Sequence, residues 1–173
     1  MTRSRTETVC TAAIFVVLAL ILSYVEAMIP LELVIPIPGL KFGLANLAVA
    51  AAFFILGTFP ALCVSLSRIL LNFLLFGSVT SLWFSLSGGL LSFSVLVLWK
   101  FILKRYLGAV GLSVLCAAMH NLGQCAAAFV IFGGAAIRLW LPVLLVMAMF
   151  TGTATGVLLY FITERLQKNT RGI

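Results

Sequence analysis

The chain has 173 residues, of which 64% are hydrophobic and 9% charged, with a net charge of +7. Soluble domains are roughly 45–50% apolar and about 25% charged, so the composition excludes a water-soluble globule and points to lipid as the solvent. The excess positive charge does not indicate nucleic acid, because Lys and Arg stand at the ends of apolar segments rather than in a patch.

A spanning helix needs about 20 mostly apolar residues. In chain order, the sequence predicts helices over residues 8–28, 43–56, 60–76, 81–103, 109–132 and 139–162. The first is read as a span rather than a cleaved signal, since Glu26 makes Val25-Glu26-Ala27 a poor cleavage site. The second and third form one apolar run broken at Gly57-Thr58-Phe59-Pro60. Proline suits the first turn of a helix and terminates the one before it, which predicts a tight helical hairpin. Between the first two helices lies an apolar stretch with Pro30, Pro36 and Pro38, followed by Gly39. It cannot be a regular helix, and an apolar irregular segment should fold over the bundle or lie at the interface. A lid over a cavity and a plain interfacial connector both fit.

Charge orients the bundle. With six spans and an inner N-terminus, Arg3, Arg5, Lys100, Lys104, Arg105, Arg165, Lys168 and Arg171 lie inside, Lys41 and Arg138 outside, and Arg68 within a span. This matches the positive-inside bias. Five spans would put the cluster at residues 100–105 outside. The expected architecture is therefore an all-α integral membrane bundle of six transmembrane helices, a single domain over 1–173, with both termini cytoplasmic.

Small residues recur at helical spacing in three helices: Ala19, Ser23 and Ala27; Ser81, Ser85, Gly88/Gly89 and Ser92; and Ala148, Gly152 and Gly156. Such seams let backbones approach in lipid. They serve packing within the chain or docking of a membrane partner.

Polar residues at membrane depth are costly and normally face an interior or a cavity. They concentrate in the outer half: Glu26, Lys41, Asn46, Arg68, Asn72, His120, Asn121 and Gln124. Arg68 and Asn72 are four apart, as are His120 and Gln124, so each pair shares a helix face. If those faces meet, they line a polar chamber suited to an anionic or zwitterionic ligand with several hydrogen-bonding groups. A structural Arg68–Glu26 pair and amide ties between helices are the competing reading.

The chain has no Asp, and its acids are Glu7, Glu26, Glu32 and Glu164. Magnesium-diphosphate chemistry usually uses clustered carboxylates, which these do not supply. Cys10, Cys63, Cys116 and Cys125 sit in apolar segments with no CxxC pair, and behave as small hydrophobes. No metal, cofactor or catalytic residue is expected, although Glu26 and His120 remain the one possible acid/base pair.

Residues 36–46, Pro-Ile-Pro-Gly-Leu-Lys-Phe-Gly-Leu-Ala-Asn, resemble the signature PxPGxKxGLAN of the membrane family known as heptaprenyl diphosphate synthase component I, or Gx transporters. Arg68-Ile69-Leu70-Leu71, Phe76-Gly77-Ser78, Ser85 to Gly89, the His120-Asn121-Leu122-Gly123-Gln124 run and Thr151 to Gly156 resemble the rest of that family. The family is similar to the substrate-binding S components of energy-coupling-factor transporters. That resemblance implies a bacterial cytoplasmic-membrane protein that binds a small molecule from outside and works with separate transmembrane and ATPase subunits. It implies a site of Lys41, Asn46, Arg68, Asn72, His120, Asn121 and Gln124, a lid containing Pro36, Pro38 and Gly39, and a partner-docking seam at Ala19 and Ser23. The synthase name implies instead a non-catalytic membrane partner of a soluble prenyltransferase, or an accessory to quinone metabolism.

Overall fold

The computed structural model describes residues 4–29 and 43–171, with the backbone alone for 135, 136, 138, 139 and 166–171. Lys41, Pro36, Pro38 and Gly39 lie outside the described residues. Among the described residues six α-helices follow one another: α1 Arg5–Met28, α2 Leu44–Leu56, α3 Thr58–Phe76, α4 Val79–Phe101, α5 Ala109–Phe132 and α6 Ala135–Arg171, with a 3-10 turn at Leu103–Arg105.

Local chemistry sets the boundaries. Ser4 and Glu7 form a reciprocal capping box: the Glu7 amide donates to Ser4 Oγ at 3.1 Å, and the Ser4 amide donates to the Glu7 carboxylate at 3.0 Å. Ser78 caps α4 by accepting from the Ser81 amide at 3.2 Å. The α2–α3 turn rests on Gly57, whose φ of 91° favours glycine. Pro60 stands in the first turn of α3, where its missing N–H leaves no helical bond unmade. Pro142 lies inside α6, which continues through it.

Side-chain contacts fix the up-and-down order. At one end, Glu26 of α1 accepts a hydrogen bond from the Leu44 amide at the start of α2, and the Tyr24 and Phe76 rings stand 5.7 Å apart. At the other end, Lys100 Nζ donates to Thr58 Oγ1 at 3.3 Å, and Trp99 Nε1 donates to the Leu107 carbonyl at 2.8 Å. Each helix therefore runs opposite to the one before it. Arg5, Lys100, Lys104, Arg105 and Arg165 gather at the second end.

Five of the helices are long and apolar enough to cross a membrane. Their outer surfaces carry exposed apolar side chains, such as Ile14, Val17, Leu74, Val130 and Phe150, as lipid-facing surfaces do. α2 differs. Its 13 residues rise about 20 Å, short of the roughly 30 Å hydrocarbon core. It is also the most interior helix: Ala45, Ala48, Val49, Ala50, Ala51, Ala52 and Phe53 are all buried. It packs against α1, α3 and α6. The described bundle thus sets five helices of spanning length around one short alanine-rich helix, and alanine lets the neighbours close on it.

Most of the small-residue seams pack inside the chain. A Cβ on Gly123 of α5 would come within 2.6 Å of the Ser87 carbonyl of α4, and one on Gly152 of α6 within 2.6 Å of Val114 Cα of α5. These helices meet at backbone contact. The α1 residues Ala19 and Ser23 are also turned inward, at 0% and 8% exposure. Outward, α1 shows Ile14, Val17, Ile21 and Tyr24.

Candidate ligand-binding site

All six helices contribute to one internal cavity. Glu26 and Ser23 come from α1, and Asn46 from α2, two residues past its start. α3 brings Ser65, Arg68 and Asn72, one turn apart. α4 brings Ser85, Gly89 and Ser92, and α5 brings Ser113, Cys116, His120, Asn121 and Gln124. α6 closes the wall with Thr151 and Thr155. The floor is apolar, made by Phe93, Leu96, Leu112 and Leu159. The space open to the centres of water molecules is about 60 Å³, enough for several waters.

Arg68 is the charged centre. It is 7% exposed, and its Nη2 donates to Asn46 Oδ1 at 3.1 Å. Its Nε is buried and has no hydrogen-bond partner among the described residues. A guanidinium presents five donors in a fixed fork, and leaving one unbonded away from water is expensive. Glu26 attracts Arg68 electrostatically, but it also has another task. Buried at 5% exposure, it accepts from the Leu44 amide. A carboxylate there meets the positive end of the α2 dipole. Gly43, at φ 80°, caps that helix and has no side chain to do the job, so α1 supplies the cap instead.

The α5 residues divide. Asn121 Nδ2 donates to the Leu144 carbonyl of α6 at 2.7 Å, so its amide ties two helices together while bordering the cavity. Gln124 is buried on the cavity wall. His120 packs on the α4 backbone: a Cβ on Gly88 would lie 2.9 Å from both Cε1 and Nδ1 of its ring. Only glycine leaves that space. Among the described residues no three His, Cys, Asp or Glu converge as a metal site.

Of the residues expected at the site, Asn46, Arg68, Asn72, His120, Asn121 and Gln124 line the same cavity, and Lys41 lies outside the described residues. Sequence reasoning missed the hydroxyls. Ser23, Ser65, Ser85, Ser92, Ser113, Thr151 and Thr155 all face the cavity. Several belong to the small-residue seams, and serine reads equally as a small packing residue and as a hydrogen-bonding one. Thr151 and Thr155 bond back to their own helix, to Met147 O at 3.0 Å and Thr151 O at 2.9 Å, which satisfies their protons and leaves lone pairs.

Lipid-facing helices around a cavity with Arg68 buried in its wall define a multi-pass membrane protein with an internal pocket. The model of the family heptaprenyl diphosphate synthase component I matches residues 15–162, and the chain belongs to that family. No curated protein and no solved structure matches it. The family's description names a component, and so a part of a larger assembly.

Proposed function

We propose that the chain is a membrane-embedded binding protein for a small polar or anionic molecule, working in the manner of a transporter S component. The observation that carries this reading is Arg68: a buried guanidinium with an unsatisfied Nε on the wall of a cavity rich in hydroxyls and amides. An anion bearing several acceptors would complete it. Charge supports entry from outside. Arg5, Lys100, Lys104, Arg105 and Arg165 cluster at the end opposite Glu26 and Asn46, and positive ends face the cytoplasm of a bacterial inner membrane. Energy for uptake would come from separate transmembrane and ATPase subunits.

A second reading rests on the family's description: the chain is a non-catalytic membrane component of a heptaprenyl diphosphate synthase, partnered by a soluble prenyltransferase. Both readings are tested on one preparation. Small molecules extracted from purified wild-type protein and from Arg68→Gln are compared by mass spectrometry, and copurifying proteins are identified. A near-stoichiometric polar ligand lost in the variant, with ATPase subunits alongside, is the expected result. A prenyl diphosphate or quinone with a prenyltransferase would establish the second reading. A ligand retained in a folded Arg68→Gln protein would refute the role given to Arg68.

A further inference from the structure

The cavity's walls limit what it can hold. Its open space of about 60 Å³ corresponds to roughly four to six waters, and so to a ligand of about ten non-hydrogen atoms. A longer molecule would need to extend between helices into lipid, as a prenyl chain would, or back out through the mouth. Two seams beside the cavity are shut at backbone contact. Between α4 and α5, a Cβ on Gly123 would sit 2.6 Å from the Ser87 carbonyl; between α5 and α6, one on Gly156 would sit 2.7 Å from Val110 Cα. Between α3 and α4, Gly89 faces side chains only, the tip of Ile69 lying 2.9 Å from where a Cβ would stand. Below, Leu112 and Leu159 are both 0% exposed and seal the floor.

We infer that the cavity takes a compact anion whole: one carboxylate or phosphate at Arg68, on a body of about ten non-hydrogen atoms or fewer, with hydroxyl or carbonyl groups facing the serines. This rests on the binding reading above and narrows it. The carboxylate or phosphate answers the open donor of the guanidinium, and the short apolar floor takes the remainder of the molecule.

The test is a length series. Full-length protein in lipid nanodiscs is titrated calorimetrically with straight-chain 3-hydroxy carboxylates of four to sixteen carbons and with the matching alkyl phosphates. Arg68→Gln in identical nanodiscs serves as the blank for partitioning into lipid. Arg68-dependent affinity should hold up to about eight carbons and fall at least tenfold by twelve. The better of the two series identifies the head group. Ser113→Val, which keeps Arg68 and fills the cavity near its floor, should move the cutoff to shorter chains, and it carries the test if Arg68→Gln does not fold. Affinity that keeps rising with length, a cutoff unmoved by Ser113→Val, or no Arg68-dependent binding in either series would overturn the inference. A native ligand of any size lost in Arg68→Gln would leave the binding reading standing while the size limit fell.

Discussion

The close approach of α4 and α5 gives a prediction with opposite signs on one helix. Adding a single methyl at Gly123 would place Cβ 2.6 Å from the Ser87 carbonyl, 2.8 Å from Gly88 Cα and 2.8 Å from Gly88 N. All three are backbone atoms and cannot rotate away. Ordinary contact begins near 3.4 Å, so the helices must part by about 0.8 Å at the crossing that holds His120. Overpacking of this kind costs about 1–3 kcal/mol. Replacing a helical glycine with alanine returns about 0.8–1.0 kcal/mol. Gly123→Ala should therefore lose up to about 2 kcal/mol. Gly111, on the same helix, is the control: its added Cβ would meet only the tip of the Leu107 side chain, at 3.1 Å, which can turn aside. Gly111→Ala should be neutral or gain up to about 1 kcal/mol. Denaturation of both variants by titrating SDS into mild-detergent micelles measures the difference. Equal stabilities for the two would refute the backbone contact between α4 and α5 and the closed seam that depends on it.

Asn121→Ala removes the 2.7 Å bond to the Leu144 carbonyl and should lower stability by about 1 kcal/mol, within the range of interhelical bonds in membranes. An unchanged midpoint in the same titration would make Asn121 a ligand group rather than a tie. Orientation is checked by single cysteines in a cysteine-free background: Val79→Cys and Tyr106→Cys lie at opposite ends and are both exposed. A membrane-impermeant maleimide added to intact cells should label the first and not the second, and the reverse would place the cavity mouth inside.

Much of this architecture is legible in the sequence because lipid imposes strict terms. Backbone groups must be satisfied within each segment, so long apolar runs become helices, and Gly57 with Pro60 can only mark a turn. The same penalty makes Arg68, His120 and Gln124 conspicuous, since nothing but an interior or a cavity tolerates them. What the sequence hides is mutual orientation. Glu26 looks like a counter-ion for Arg68, and its bond to the first amide of α2 follows only once Gly43 is seen to leave that helix without a side-chain cap.

The small residues mark the boundary of such reasoning, and the reason is physical. Glycine, alanine and serine permit close approach without choosing the neighbour. Ala19 and Ser23 suit a partner's helix as well as their own bundle, and within the chain the helix beside α1 is α2. That helix is short, alanine-rich and buried along its length, and it needs a smooth neighbour on the side where α1 passes. Once α1 gives it that face, the residues turned outward are Ile14, Val17, Ile21 and Tyr24, which suit lipid. The same ambiguity conceals the cavity wall. Ser85 and Ser92 stand in a row that includes Gly88, yet the glycine closes the seam with α5 while the serines border the cavity. A seven-residue interval brings a helix back to almost the same face, so one stripe both closes seams and lines a cavity. Only the position of the crossing helices separates the two roles.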